Sequence, residues 1–196
     1  MECKKSAKGF YGILLQKLVL KQRYNIDHNP KNSGYDLTSS LNKLTHKNVS
    51  IKSSQSNIIF CSDIFNFLSS VSLELIVIQY KISNINHVKK LIIKKGYLFN
   101  DLDSFFKHIN NLINLIKLKE LHIYIKSLSY PYSNEQRILC HKMAKTVISI
   151  NNPYGFRINC KLSSSNKRIQ CSISLKKISK LIKFKTIKFV DNTISL

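Results

Sequence analysis

Residues 88–125 read VKKLIIKKGYLFNDLDSFFKHINNLINLIKLKELHIYI, and the way this stretch divides decides the fold. Val88, Leu91, Ile92 and Ile93 make a short apolar run, which predicts a strand over 88–93. Asn100 is a good N-cap type, and Asp101 and Asp103 follow it where the positive end of a helix favours acids. Leu102, Phe105, Phe106, Ile109, Leu112, Ile113 and Ile116 then recur at helical spacing. The apolar run 118–125 predicts the next strand. The stretch thus reads strand, helix, strand, the unit that usually joins parallel neighbours.

The same alternation continues outward. Residues 72–80 are apolar and strand-like. Downstream, Ser133 with Gln136 forms a capping box that opens a helix running to about residue 150. Asn152-Pro153-Tyr154-Gly155 is a turn by residue type. The strand 156–162 alternates, with Phe156, Ile158, Cys160 and Leu162 on one face and Arg157, Asn159 and Lys161 on the other. A polar connection at 163–166, a helix at 174–183 and a strand at 184–190 complete the pattern. Near the other end, 9–23 reads as a basic amphipathic helix with Phe10, Ile13, Leu14 and Leu18 on one side. The division is therefore a basic N-terminal helix (1–24), a polar loop or linker (25–56) with turns at His28-Asn29-Pro30 and Ser33-Gly34, and a domain over 57–196 whose C-terminal half is basic. The fold class is α/β, with alternating strands and helices and a largely parallel sheet.

Val88, Leu91 and Ile93 fit L-x-x-L-x-L, and Leu118, Leu121 and Ile123 repeat it thirty residues later. Leu98, Leu102, Phe105, Ile109 and Leu115 lie between, where a helix would back the strand, and Phe184, Ile187 and Phe189 give a third instance. The spacing resembles the leucine-rich repeat of ribonuclease-inhibitor type, most clearly over 88–118. The resemblance implies a short solenoid with a concave parallel sheet and a protein-binding role. Its contact surface would centre on Ile92, His122 and Tyr124. The repeat's usual Asn or Cys is Gly96 in the first instance and Lys126 in the second, a departure from the family pattern.

Composition narrows the function class. The 196 residues are 43% hydrophobic and suit a globular chain with a real core. Heavy use of Ile, Asn and Lys, only four Arg and no Trp are the usage of an AT-rich genome, which accounts for part of the net charge of +22. Five cysteines (Cys3, Cys61, Cys140, Cys160, Cys171) without C-x-x-C spacing fit buried thiols in a reducing compartment better than a disulfide framework. A zinc site from Cys140, His141, Cys160 and Cys171 is the weaker alternative. No run has the length of a membrane span. Residues 1–26 hold six basic residues and one acid, Glu2, a composition that a mitochondrial presequence shares; cytoplasm or nucleus is the default. The six His form no H-x-x-x-H pair, and no Gly-rich phosphate loop or nucleophile elbow is present. Asp101 and Asp103 are explained by helix capping. No catalytic residue, metal, cofactor or small-molecule substrate is therefore predicted.

One segment stands apart. Residues 136–190 carry thirteen Lys or Arg and no Asp or Glu. Arg137, His141 and Lys145 fall at i, i+4, i+8 of one predicted helix, opposite Leu139, Met143 and Val147. Lys176, Lys180 and Lys183 stripe the next helix, opposite Leu175, Ile178 and Leu181. Arg157 and Lys161 share an exposed strand face, Lys167 and Arg168 occupy a connection, and Lys188 lies near the last strand's end. Solvated faces normally intersperse Glu to relieve repulsion, and this segment has none. Phosphates would supply the missing countercharge. The expectation is a basic, non-enzymatic protein that docks on RNA, more than DNA, or on a ribonucleoprotein. An acidic protein partner is the alternative, and it would also satisfy the repeat-type interaction module. Tyr124, Tyr154 and Phe156 are the candidate stacking rings.

Overall fold

Only two residues separate Ile85 from Val88, too few for anything but an antiparallel return. That return organises the first of two sheets. The structure is a computed structural model that describes residues 7–27, 36–70, 73–85, 87–164 and 166–196. The turns expected at 28–30 and 33–34, and Cys3, lie outside the described residues. In chain order the elements are α1 (Ala7–Tyr24), β1 (Asn48–Ser54), β2 (Ile58–Asp63), α2 (Ile64–Leu68), β3 (Leu73–Ile85), β4 (Val88–Phe99) and α3 (Asp103–Leu112). They continue with α4 (Leu115–Ser127), α5 (Asn134–Thr146), β5 (Arg157–Leu162), β6 (Lys167–Ser174), α6 (Leu175–Leu181), β7 (Lys185–Ile187) and β8 (Thr193–Ser195). No described helix is long and apolar enough to cross a membrane.

The chain divides into two compact units. The first takes Met1–Asn57, Val71–Leu102 and Ile182–Leu196; the second takes Ile58–Ser70 and Asp103–Leu181.

In the first unit the sheet order is β1-β3-β4-β7, with β8 also pairing with β4. β3 and β4 form a long antiparallel hairpin from Leu75↔Phe99 to Ile85↔Val88, and His87 takes a positive φ of 63° in its connection. β1 lies parallel to β3, which the long intervening stretch 55–72 allows. β7 and β8 close the outer edge of β4, both antiparallel. The sheets are mostly antiparallel, so the expectation of a largely parallel sheet is corrected. The parallel expectation needed 118–125 to be a strand, and those residues are helical; the strands at 72–80 and 88–93 instead extend to Ile85 and Phe99 and pair as a hairpin. Leu15, Val19 and Leu20 of α1 join Val49, Ile51, Ile76, Ile78, Leu91 and Ile93 in one buried cluster. The segment expected as a loop, 25–56, thus contains a core strand, because Val49 and Ile51 alternate inward among Asn, Ser and Lys. Gly96 faces Phe189 so closely that an added Cβ would stand 2.7 Å from the ring. The close approach explains a glycine at this position.

A buried polar tie holds α1 to this sheet. Glu74, 1% exposed, accepts from the Tyr24 hydroxyl (3.2 Å) and from the buried Asn42 amide (3.4 Å). Arg23 donates in turn to the Tyr24 oxygen at 3.2 Å.

In the second unit β2, β6 and β5 form an antiparallel sheet in that order. Phe67 of α2 meets the rings of Phe105, Phe106 and Phe156 at 6.3, 5.2 and 5.8 Å, the aromatic centre of this core. Residues 118–125 are not a strand but the middle of α4, whose N-cap Asn114 accepts from the Lys117 amide. Leu118, Leu121 and Ile125 are buried, at helical spacing, while Ile123 is 68% exposed. The unit that resembled a leucine-rich repeat is therefore strand, helix, helix, and a solenoid is not shown. α3 begins at Asp103, three residues after the expected cap Asn100. The capping box on Ser133 and Gln136 is present, and α5 runs to Thr146, short of the expected 150. Its buried side is Cys140, Ala144 and Val147 rather than Leu139, Met143 and Val147; Leu139 is 44% exposed. The last strand expected, 184–190, resolves into the short β7 and the separate β8.

Candidate nucleic-acid interface

The β2-β6-β5 sheet has one apolar and one basic face, and strand periodicity makes them. Ile59, Cys61, Ile158, Ile169, Cys171 and Ile173 alternate inward and are buried. The other positions lie on the opposite face in register, where Ser172 is itself buried at 2% exposure. Arg157 of β5 pairs with Ser172 of β6, and Ser172 with Phe60 of β2. Two residues along, Asn159 pairs with Gln170, and beyond them Lys161 stands directly opposite Arg168. Arg157, Lys161 and Arg168 are all exposed. Two cations paired across neighbouring strands repel, at a cost of a few tenths to about 1 kcal/mol. The Lys161 ammonium lies 5.6 Å from the centroid of the Phe60 ring, which is 51% exposed. Asn159 donates to the Ser172 hydroxyl at 3.2 Å, and the Gln170 carboxamide makes no side-chain hydrogen bond among the described residues.

Beside β5, α5 contributes His141 and Lys145 to a cleft of about 510 Å³ that also takes in Ser149, Asn152, Arg157 and Asn159. No acid lines it. The Asn152 side chain bridges both the amide and the carbonyl of Phe156, and Gly155 takes φ 61° in the same turn, so the start of β5 is firmly placed. Further up α5 the Arg137 guanidinium lies over the Tyr132 ring at 5.5 Å. Three of the expected site residues, His141, Lys145 and Arg157, are thus brought together at one cleft, and Lys161 and Arg168 pair across β5 and β6 two rows from Arg157 on the same face.

The remaining expected residues separate from these. Lys167 is half-buried and donates to the Lys126 and Leu128 carbonyls at 2.8 and 2.7 Å, so it closes the carboxyl end of α4. Lys176 and Lys180 are exposed on α6, where Leu175 and Ile178 are buried but Leu181 is 55% exposed. Lys183 and Lys188 belong to the first unit. Of the candidate stacking rings, Phe156 is 1% exposed and Tyr154 packs against Phe105 and His108, so both serve packing. Tyr124 is half-buried on α4. Phe60 is the ring the sequence reading missed. Its signal was the alternation of 58–63, where Ile59 and Cys61 face in and Ile58 and Phe60 face out.

Two ion pairs occur among the described residues, Lys21–Asp27 at 3.4 Å and Lys52–Asp36 at 3.8 Å, and both lie in the first unit. The described cations of the second unit pair with no carboxylate.

The four described thiols, Cys61, Cys140, Cys160 and Cys171, are free and fall into two separate pairs. Cys160 donates to the Cys140 carbonyl at 3.5 Å, whereas Cys171 interacts with Cys61, so the four-residue zinc set is split. No three His, Cys, Asp or Glu side chains among the described residues converge to hold a metal. Burial pushes the Cys160 thiol up to about 12, with Cys140 adding, and pushes the Cys171 and Cys140 thiols up as well. Such thiols stay protonated and unreactive. His122, expected inside a strand, is half-buried on α4 with its ring edge-on to Phe65 at 4.9 Å. No family model, curated protein or solved structure matches the chain.

Proposed function

We propose that this chain is a non-enzymatic basic protein that docks on RNA, alone or within an RNA–protein particle, through the second unit. The observation that carries the reading is the register pair Lys161–Arg168, two basic residues opposite each other on neighbouring strands, in the same face as Arg157 and with no ion pair to a carboxylate among the described residues. A sheet tolerates that arrangement when an anion lies against it, and a phosphate chain supplies anions at regular spacing. The cleft edged by His141, Lys145 and Arg157 extends the same basic surface. With few Arg, and with its one acid, Asp63, engaged in capping α2, the surface suits backbone contact rather than base-edge reading. Such a role belongs in a compartment that holds RNA: cytoplasm, nucleus or mitochondrion.

The test is RNA affinity against salt, for the wild type and for Arg157, Lys161 and Arg168 all changed to Glu. Wild-type affinity should fall steeply with salt. Loss of three phosphate contacts should flatten the log–log slope by about 2, at roughly 0.7 per contact on a single strand. Absence of binding at low salt, or binding indifferent to salt, overturns the proposal. An acidic polypeptide that displaces RNA at equal charge assigns the surface to a protein partner instead.

A further inference from the structure

The exposed face of the β2-β6-β5 sheet spends an aromatic ring on solvent. Phe60 is 51% exposed, and Ile58, two residues earlier on the same face, is 38% exposed. The other side chains of that face in the paired rows are polar or charged: Arg157, Asn159, Lys161, Arg168 and Gln170, the buried Ser172, Ser174 beside Ile58, and one acid, Asp63, beside Gln170 past a register shift. A ring in this setting is not there to fill a core, since Ile59 and Cys61 on the opposite face already do so. Lys161 reaches across the middle strand to lie over it.

Resting on the RNA-docking reading above, we infer that Phe60 is a stacking platform for an unpaired base, and that the RNA this chain binds is single-stranded where it crosses the sheet. A base in a duplex has both faces covered by its neighbours and offers no surface to a ring, whereas an unpaired base offers one whatever its identity. The Lys161 ammonium covers the ring in the free chain. When a base takes that place, the long flexible stem lets the ammonium move to the adjoining phosphate, where Arg168 and Arg157 already flank the path. The Gln170 carboxamide, with no side-chain hydrogen bond among the described residues, stands in the row between Phe60 and Lys161 and can meet a base edge there. Ring and cations together favour a strand that is both charged and unstacked. A duplex satisfies the cations alone.

The chain contains no Trp, so Phe60→Trp places a single tryptophan at the platform. An oligonucleotide of about ten uridines should quench its fluorescence, and a duplex of equal length should bind without quenching. Phe60→Ala should weaken single-strand binding roughly tenfold and leave duplex binding and the salt slope unchanged. An abasic strand of the same charge should bind the wild type as weakly as the intact strand binds Phe60→Ala. If Phe60→Ala fails to fold, the tryptophan quenching and the abasic strand decide the matter. Equal affinity for abasic and intact strands, with an unquenched tryptophan, overturns the platform while the salt-dependent docking stands. Wild type that binds neither strand nor duplex at low salt overturns the docking reading itself.

Discussion

The first unit has 18 Lys or Arg against six acids, and the second has 14 against four, so their net charges of +12 and +10 hardly differ. Their partners do. In the first unit Asp36 takes Lys52 and also accepts from the Gln16 amide and the Ile51 backbone. Asp27 takes Lys21, and Glu74 is fully enclosed by Tyr24 and Asn42. Asp36 and Glu74 thus serve the fold. In the second unit Asp63 caps α2, no carboxylate reaches a cation, and two cations are set opposite each other. Net charge alone therefore does not distinguish the two units; the distribution of countercharges does.

The comparison can be broken first at the two cores. Phe67→Ala removes the ring at the centre of the second unit's aromatic cluster and should cost about 3–5 kcal/mol, read as a large fall in thermal midpoint. Glu74→Ala leaves Tyr24 and Asn42 without their buried acceptor and should cost about 2–3 kcal/mol in urea unfolding, while Glu74→Gln keeps most of the bonding. Equal losses for Ala and Gln would mean that the carboxylate's charge, not its bonding, holds α1 to the sheet.

Neutralising lysines and arginines sharpens the contrast, because the two units should respond with opposite sign. Lys52→Gln breaks a half-buried pair and should destabilise by about 0.5–1 kcal/mol. Lys161→Gln with Arg168→Gln relieves repulsion and should stabilise by about 0.5 kcal/mol at low salt, a gain that fades as salt screens it. Loss of stability in both cases, measured by urea midpoints at two salt concentrations, would remove the distinction.

Alkaline titration gives an effect confined to pH above about 9. Burial, outweighing Arg23 and aided by Glu74, holds the Tyr24 phenol at about 12 against an ordinary 10.0. Burial holds the Cys160 thiol at about 12 against 9.0. Each fold-state group keeps its proton where the unfolded chain has lost it. The stability this gives is whole below pH 9.0 for Cys160 and below 10.0 for Tyr24, and it declines as pH rises toward about 12. Cys160→Ala should therefore flatten the decline from about pH 9, and Tyr24→Phe only from about pH 10, in urea midpoints taken across that range.

What was legible in the sequence was local. The Ser133 box, the turn at Asn152–Gly155 and the alternation of β5 each depend on neighbours within a few residues, and each is present. α4 was misread because Leu115, Ile116 and Ile123 are exposed while Leu118, Leu121 and Ile125 are buried, which blurs the helical stripe into an apolar run. The basic segment pointed to Arg157, Lys161 and Arg168 individually. Their meeting with Phe60 depends on β2 pairing with β6 across more than a hundred residues, as in Ile58↔Ser174, and no local pattern carries that register. Lys167 shows the converse: a basic residue in the right segment whose ammonium is committed to the end of α4.

The chain passes between its two units four times, and β4 receives β7 and β8 only from residues beyond 181. During synthesis all of the second unit is therefore translated before the outer edge of β4 acquires its partners. Until then the ribosome carries a long hairpin with one open, lysine-studded edge, in which Lys89, Lys90, Lys94 and Lys95 line β4. Like charge along an unpaired edge discourages pairing with another chain. The β4 edge therefore carries four lysines along the stretch that waits longest for its partners.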